Sequence, residues 1–326
     1  MPNLLIAILL SSTVLTAQHS SWSHYRKVNR YKCPGPFDTL KRSQKIKIAN
    51  KSYIHSGYRL EVQNPDSDNT IILGVLGSIK DTSEATKLNL KQALAWFAQK
   101  QVEWIIADGD LGSEENDLED ALGILAASKL PVLTLLGNSE SRSTYARVFN
   151  RVGAYNLIDG VMVRQIIADD LELWVLPGYY DQEYKRQGAG CVYKPEDIDA
   201  MLTTIKPAGN LPIALVSHGP PRGSGELALD YISAKRNVGD PELNRLLQNA
   251  NIPFGFFGHI LEAGGRAVGS DFSSAIPAAT MVTNLYINNG SIAAEAWKMN
   301  DGSTSKGMAM IVTIKGKQAM YETKQW

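Results

Sequence analysis

Cysteine is scarce in this chain, and neither sign of charge is in excess. The 326 residues include two cysteines, and 33 lysines and arginines balance 33 aspartates and glutamates. With a formal net charge of zero, the chain lacks the excess of basic residues that is typical of nucleic-acid-binding proteins. No internal repeat or low-complexity tract is present, which argues against a repeat architecture. The composition, 44% hydrophobic and 20% charged, is that of a globular protein with a sizeable core.

Long apolar runs are also missing. The run from Leu4 to Leu15 is too short to span a membrane as a helix, but it has the length of a signal-peptide core. Ala17 provides a small residue at the cleavage position. We therefore predict a signal peptide over residues 1–17 and an exported, periplasmic or extracellular chain without a transmembrane span. Because no Lys or Arg precedes the run, an uncleaved membrane-proximal anchor is the alternative.

The two cysteines are Cys33 and Cys191. In an exported protein an even number of cysteines permits a disulfide, which here would link an N-terminal extension to the main domain. The alternative is two unpaired thiols. Sequence spacing alone does not decide between them.

The chain divides into a polar extension and a larger domain. Residues 18–65 are rich in Ser, Lys, Arg and Tyr, and the CPGP sequence at Cys33–Pro36 marks a turn. We expect this extension to pack on the domain or to be partly loose. The main domain is predicted over residues 66–326.

From residue 70 onward, short apolar runs alternate with helical patterns, which predicts parallel βαβ units. Asp81, with Glu84 three residues later, predicts a helix N-cap and capping box. Asp240 followed by Pro241 predicts the start of another helix. The predicted strands are 71–76, 104–107, 132–136, 213–217 and 254–257; the other helices are 117–128, 143–152 and 195–205; hairpins are expected at 161–176 and 308–322.

Four polar residues each follow one of the short apolar runs: Asp110, Asn138, His218 and His259. Each is therefore expected just beyond the carboxyl end of a strand, where ligands and catalytic groups converge in an α/β sheet. One carboxylate, one amide oxygen and two imidazoles form a mixed O/N ligand set that suits zinc, manganese or iron.

In this order, the motifs resemble those of the calcineurin-like metallophosphoesterase superfamily, whose pattern is D-x-H, G-D, G-N-H-D/E, a lone His and G-H-x-H. The resemblance covers about residues 70–295, and it implies a four-layer α/β sandwich of two mixed β-sheets flanked by helices. The matching segments are Gly109-Asp110, Gly137-Asn138-Ser139-Glu140, His218-Gly219-Pro220-Pro221, Gly258-His259-Ile260-Leu261 and Asn289-Gly290-Ser291, the last resembling N-P-G-S.

The resemblance implies one half of a two-metal site. Family members use two divalent cations. The four residues above match the ligands of one cation, but Ser78, Lys80 and Leu261 stand at the three positions that would complete the other. Ser139 replaces the histidine that handles a proton in the family. We therefore expect one divalent metal, with the second metal site absent.

Two cationic side chains are expected near the site. Lys80 is expected near the vacated ion position and within reach of Asp110, where its ammonium would partly replace the lost cation electrostatically. Arg222 follows the His218 motif and is a candidate anion contact; a surface-loop arginine is the alternative.

These replacements weaken the case for catalysis. A bridging hydroxide would lose one of the cations that lower its pKa, and the phosphate would lose part of its charge clamp. Loss of the proton-handling histidine alone can cost about 10²–10⁴-fold in rate. The expected function is thus a catalytically impaired binding module for a phosphorylated or anionic ligand. The alternatives are a mononuclear metal-dependent phosphoesterase acting on phosphomonoesters or phosphodiesters, and a structural cell-envelope protein that docks through its N-terminal extension.

Overall fold

The computed structural model describes residues 31–37, 42–66, 68–185, 190–207 and 209–326. The predicted signal peptide, residues 1–17, lies outside these ranges. No helix among the described residues is both long enough and apolar enough to cross a membrane.

Most of the described strands belong to two β-sheets, and the shorter ones form separate pairs. In chain order the strands are β1 (Gln44–Ile48), β2 (Lys51–Ser56), β3 (Arg59–Val62), β4 (Thr70–Leu76), β5 (Trp104–Ala107), β6 (Val132–Thr134), β7 (Leu157–Asp159), β8 (Gln165–Ile167), β9 (Glu172–Leu176), β10 (Ile213–Ser217), β11 (Tyr231–Ile232), β12 (Arg236–Asn237), β13 (Phe254–Phe257), β14 (Arg266–Val268), β15 (Leu285–Asn288), β16 (Trp297–Lys298), β17 (Thr304–Ser305), β18 (Met308–Lys315) and β19 (Gln318–Gln325).

Both large sheets are mixed, as predicted. The six-stranded sheet has the order β19-β18-β4-β5-β6-β7, and β4 to β7 are parallel. The nine-stranded sheet has the order β1-β2-β3-β8-β9-β10-β13-β15-β14, with β9, β10, β13 and β15 parallel. Parallel strands bring their carboxyl ends to one edge, so each sheet presents a row of loops there.

All but one of the described α-helices begin at a side-chain cap or a proline; the helix that starts at Glu115 has neither. They are α1 (Glu84–Gln99), α2 (Glu115–Ala126), α3 (Arg142–Val152), α4 (Pro195–Thr204) and α5 (Pro241–Asn249). Asp240 caps α5 ahead of Pro241, as predicted. The predicted cap of α1 is wrong by two residues, because Ser83 accepts from Thr86 N while Asp81 instead accepts from Ser83 N at 2.9 Å.

The hydrophobic core has three main parts, which define four layers. Residues from both sheets interdigitate between them; examples are Val75, Leu133, Val175, Phe256 and Met310. Helices α1 to α3 pack on the outer face of the six-stranded sheet, through residues such as Phe97 and Leu122. Helices α4 and α5 cover the nine-stranded sheet, with Met201 and Leu246 buried. The four-layer α/β sandwich predicted from the sequence is confirmed.

Part of the predicted N-terminal extension joins the nine-stranded sheet. Strands β1 to β3 form an antiparallel meander, and β3 pairs in parallel with β8. Ahead of them, Cys33 forms a disulfide with Cys191, and Cys33 N donates to Val192 O at 2.8 Å. The extension is thus attached to the main domain at two places.

The turn of the β8–β9 hairpin carries a carboxyl group with a perturbed pKa. Asp170 is buried and accepts from Thr70 N at 3.1 Å. Burial, and then the charges of Asp66 and Asp68, raise the pKa of Asp170 to about 6. A raised pKa means that the folded chain holds this proton more tightly than the unfolded chain. The stabilisation is complete below the unfolded pKa and is lost as the pH rises through 6.

Replacing Asp170 by Asn should therefore stabilise the protein at neutral pH. Asp170→Asn keeps an acceptor for Thr70 N, and we expect the free energy of unfolding to rise by about 2 kcal/mol at pH 7 and to change little at pH 4. Urea unfolding at the two pH values measures this. Asp271→Asn is the matched control of opposite sign, because hydrogen bonds from Ser274 lower the pKa of Asp271. An equal gain for Asp170→Asn at both pH values would contradict the explanation.

Candidate metal centre

The four residues singled out from the sequence meet where the carboxyl edges of the two sheets face each other. Asp110 and Asn138 follow β5 and β6 of the six-stranded sheet, while His218 and His259 follow β10 and β13 of the nine-stranded sheet. Asp110, Asn138 and His218 are buried, and His259 is half-buried. The site is therefore assembled only when the two sheets pack together.

The donor atoms of these residues cluster around one imidazole nitrogen. His218 Nε2 lies 3.0 Å from Asn138 Oδ1, 3.2 Å from His259 Nδ1 and 3.4 Å from Asp110 Oδ1. The donor atoms of Asp110, His218 and His259 all lie within 4.8 Å of one another. Ligands bound to zinc at about 2.0–2.2 Å in a tetrahedron lie about 3.4 Å apart. The residues therefore fit a divalent cation.

Neighbouring carbonyl groups orient two of the donors. His218 Nδ1 lies 2.9 Å from Asp108 O, so that an N–H at Nδ1 donates to this carbonyl and leaves the Nε2 lone pair facing the cluster. Asn138 Nδ2 donates to Tyr184 O at 2.6 Å, which turns the amide oxygen inward. Such outer hydrogen bonds fix the tautomer and orientation of metal ligands.

The electrostatics of the cluster favour one positive charge. Burial lowers the pKa of His218, but the neighbouring Asp110 outweighs it and raises the pKa to about 9. Burial, followed by the charge on His218, lowers the pKa of His259 to about 3. Despite its burial, Asp110 has a pKa well below the usual range because of the two histidines. A proton or a metal ion can supply this charge, so metal binding at neutral pH would release a proton.

Left-handed backbone conformations concentrate at the site. Asp110 and His259 have φ of 52° and 65°, and Ser78 and Lys80 have φ of 47° and 62°. Non-glycine residues rarely adopt the left-handed region, and those that do are often found at functional sites. Backbone hydrogen bonds of 2.9 Å, from Ser78 N to Gly109 O and from Lys80 N to Asp110 O, join the loop after β4 to the loop after β5.

The G-N motif keeps two ligand loops in close contact. A Cβ at Gly137 would lie 2.7 Å from Asp110 N and 2.8 Å from His218 Nε2, so only glycine fits. Buried Glu140 accepts from Gly137 N at 3.0 Å and also from Leu111 N, which joins the Asn138 loop to the Asp110 loop. Burial and the charge of Asp110 raise the pKa of Glu140 to about 7.

The positions matched by resemblance to the other half of the family site hold Ser78, Lys80 and Leu261. Ser78 is fully buried, and its Oγ has no hydrogen-bond partner among the described residues. Leu261 is buried in a short 3₁₀ helix, Leu261–Ala263. Ser139 contributes its backbone N–H, which donates to Asp110 Oδ1 at 3.1 Å. These side chains offer no strong metal donor at the positions where the resemblance places the second ion.

Lys80 forms no ion pair with Asp110 among the described residues, and its electrostatic role in the site stays a prediction. Lys80 Nζ lies over the ring of Trp297, 4.7 Å from its centroid, and no carboxylate in the described ranges forms an ion pair with it. The residues that bring Trp297 there belong to segment 289–300, which we name the covering segment. Hydrogen bonds attach the covering segment to the loops beside the site. Examples are Ser291 Oγ, which donates to Ser78 O at 2.7 Å, and Asn300 N, which donates to Glu262 O at 2.9 Å.

Asp108 is a buried carboxyl group that the sequence interpretation passed over. It is fully buried beside Gly77, Gly258 and Asn289, and neither carboxylate oxygen has a hydrogen-bond partner among the described residues. Burial raises the pKa of Asp108 to about 7, although the charge of His218 opposes the rise. The doubled carboxylates of the D-G-D sequence were the available signal. Only Asp110 joins the donor cluster.

Tyrosines form one wall of the site and were also missed. The Tyr179 ring stacks on the His259 ring at a centroid distance of 3.9 Å and a tilt of 35°. The Tyr184 ring meets His259 edge-on at 6.0 Å and is 43% exposed. Arg222 turns elsewhere, since its Nε donates to Gly239 O at 2.6 Å; its role as an anion contact stays a prediction.

Comparisons with known proteins assign the family. The model of the calcineurin-like phosphoesterase family matches residues 81–263, more than half of the chain, and the protein belongs to this family. The match begins just after Ser78 and Lys80, the positions that depart from the first family motif. A search of curated proteins finds no match.

Solved structures of low sequence identity share the fold. TT1561 of Thermus thermophilus is 11% identical, with a TM-score of 0.52, over 78% of this chain and 99% of that chain. The purple acid phosphatase PPD1 from yellow lupin seeds is 11% identical, with a TM-score of 0.50, over 85% of this chain and 54% of its own. At this identity the likeness establishes the architecture alone.

Proposed function

We propose that this protein binds one divalent cation in the retained half of a metallophosphoesterase site and serves as a binding module, with hydrolysis strongly impaired. One observation carries the proposal. Donors of the other three residues of one half lie 3.0–3.4 Å from His218 Nε2, while the three positions matched to the other half carry a hydroxyl, an ammonium and an isobutyl group. Zinc, manganese or iron would suit the donors.

The ligand that suits this charge distribution is an anion, above all a phosphoryl group. A cation held by Asp110, Asn138, His218 and His259 would supply Lewis-acid character toward a phosphoryl oxygen. Burial and the charge of His218 are the main causes of the lowered pKa of His259, and the Lys80 ammonium acts in the same direction, so its charge is felt in the site. Ser139 cannot take over the proton handling of the missing histidine, a loss of about 10²–10⁴-fold. Binding is thus favoured over turnover.

Metal content tests the proposal. We expect about one equivalent of zinc, manganese or iron per purified chain, and a large loss in His259→Ala because one of four ligands is removed. His55→Ala is the matched control: His55 Nε2 contacts Gly57 O and belongs to none of the site segments. Elemental analysis of the three proteins gives the stoichiometry. Absence of metal from the unaltered chain after incubation with each of the three ions would refute the retained half-site.

A mononuclear metal-dependent phosphoesterase is the second candidate. It is favoured by the intact outer hydrogen bonds of the retained half, since Asp108 O and Tyr184 O still orient His218 and Asn138. Hydrolysis of p-nitrophenyl phosphate or its bis ester in manganese distinguishes the candidates. Turnover that disappears in His259→Ala but persists in His55→Ala would favour the enzyme.

Export is part of the proposal. A disulfide between Cys33 and Cys191 is compatible with an oxidising compartment, where such bonds persist. A phosphorylated or anionic ligand would then be met outside the cytoplasm. The N-terminal residue of the mature chain tests this assignment, with Gln18 expected after removal of residues 1–17.

A further inference from the structure

The stacked tyrosine touches two of the metal-ligand segments. Tyr179 is almost completely buried and lies 3.9 Å from His259, centroid to centroid. Its ring also packs against the backbone just after His218, because a Cβ at Gly219 would overlap ring carbon Cε2 of Tyr179. A flat, rigid ring in this position restricts both imidazoles.

The same loop orients a third ligand. Gly178 N donates to Leu136 O at 2.7 Å, two residues before Asn138. Tyr184, further along the loop, accepts the Asn138 Nδ2 hydrogen bond at its carbonyl oxygen. Residues 178–185 therefore support the segments that carry Asn138, His218 and His259, without supplying a metal ligand themselves.

The Cys33–Cys191 disulfide packs against the loop of residues 178–185. Tyr179 N donates to Cys191 O at 3.0 Å, and Tyr193 N donates to Tyr179 O at 3.2 Å. A Cβ at Gly178 would lie 3.0 Å from Cys33 Cβ, so the loop backbone rests directly on the disulfide. Among residues 177–185, the structure shows one short 3₁₀ helix, Gln182–Tyr184, and no named strand. The cross-link is therefore a principal anchor of Tyr179.

We propose that Tyr179 is a positioning residue for the retained metal half, and that the Cys33–Cys191 disulfide acts through it, so that breaking the disulfide weakens metal binding. The inference rests on the proposed function, because it takes Asp110, Asn138, His218 and His259 as the ligands. Removing outer support of metal ligands typically costs about 10–100-fold in affinity, and we expect a loss of this size.

A phosphine can reduce the Cys33–Cys191 disulfide. The phosphine attacks one sulfur and breaks the S–S bond, and the second sulfur leaves as a thiolate. Water hydrolyses the resulting phosphonium to the phosphine oxide and releases the first thiol. Two electrons pass from phosphorus to the disulfide, and water supplies the oxygen of the oxide and the two thiol protons. Cys33→Ser with Cys191→Ser reaches the same uncross-linked state without a reductant.

Manganese binding to the full chain tests the inference. The Kd for Mn²⁺ is measured by electron paramagnetic resonance for the oxidised chain, the Cys33→Ser/Cys191→Ser chain, Tyr179→Leu and Tyr179→Phe. The serine pair and Tyr179→Leu should each raise Kd about 10–100-fold, and Tyr179→Phe should keep it because the ring is retained. Tyr155→Leu is the control, since that side chain is 62% exposed.

The possible results distinguish failure of the positioning role of Tyr179 from failure of the proposed metal half-site. If the oxidised unaltered chain binds no Mn²⁺, and no Zn²⁺ by elemental analysis, the proposed metal half-site fails. If it binds Mn²⁺ while folded serine-pair and Tyr179→Leu chains keep its Kd, the positioning role is overturned and the half-site stands. A Tyr179→Phe chain as weak as Tyr179→Leu also overturns it. Should Tyr179→Leu fail to fold, the serine pair and phosphine-treated protein decide the matter.

Discussion

Introducing the family's ligands at the positions where the proposed half-site lacks them should turn the protein into an active phosphoesterase. The variant carries Ser78→Asp, Lys80→His, Ser139→His and Leu261→His together. We expect two metals per chain instead of one, and hydrolysis of p-nitrophenyl phosphate at least about 10²-fold above the unaltered chain. The physical reason is that a second cation restores the charge clamp, and a histidine in place of Ser139 restores proton handling. Elemental analysis and initial rates in manganese measure the two effects separately.

The matched control omits one change. A triple variant that keeps Ser139 should bind two metals but gain far less activity, since the proton-handling histidine is worth about 10²–10⁴-fold. Adding His259→Ala to the quadruple variant should abolish the gain. Two bound metals without hydrolysis in the quadruple variant would show that the losses extend beyond these positions. One bound metal would show that these four substitutions do not rebuild a second metal site.

A methyl group at Gly77 should destabilise the fold by about 3 kcal/mol, at the upper end of what overpacking usually costs. Its Cβ would overlap Asp108 Oδ1 and lie 2.9 Å from Asp108 Cγ. The carboxylate has little room to move, because it is fully buried and the Gly258 backbone lies close to it: a Cβ added at Gly258 would lie only 2.8 Å from Asp108 Oδ2. Urea unfolding of Gly77→Ala at fixed pH measures the loss.

A double-mutant cycle with Asp108→Ala isolates the cause. Without the carboxylate the methyl group has room, so Gly77→Ala should cost at least about 1 kcal/mol less in that background. The control is Gly123→Ala in α2, where a Cβ meets nothing within 4 Å; there we expect a gain of about 0.5–1 kcal/mol, as for Gly→Ala in a helix. An unchanged cost of Gly77→Ala in both backgrounds would rule out the clash.

The fold was largely predictable because local patterns and tertiary structure agree. Fully apolar runs such as Trp104–Ala107 become buried parallel strands, and the Asp240-Pro241 signal opens a helix as expected. The cap of α1 was predicted at Asp81 but lies at Ser83, since serine and aspartate compete for the same role within one turn. Strands β1 to β3 lacked a strong pattern because their faces are only partly buried.

That Asp110, Asn138, His218 and His259 lie together was predictable from order and position, but side-chain directions around them were not. Asp110 and His218 follow different sheets, and the family order was needed to place them together. Lys80 points to Trp297 because the covering segment, more than 200 residues later, lies over it. The D-G-D sequence draws attention to Asp108, but nothing local predicts which residues Asp108 or Tyr179 contacts, because those contacts form where loops from opposite sheets meet.

The position of β4 bears on how the chain folds. Although β4 comes early in the main domain, it lies between β5 and β18, and its pairing with Met308–Lys315 spans more than 230 residues. Contacts so distant in sequence slow folding, because the loop must close before they stabilise anything. The edge of β4 stays open during synthesis until the last hairpin emerges, and an open strand edge favours aggregation. A chaperone that shields this edge until β18 pairs with it should therefore raise the yield of native protein.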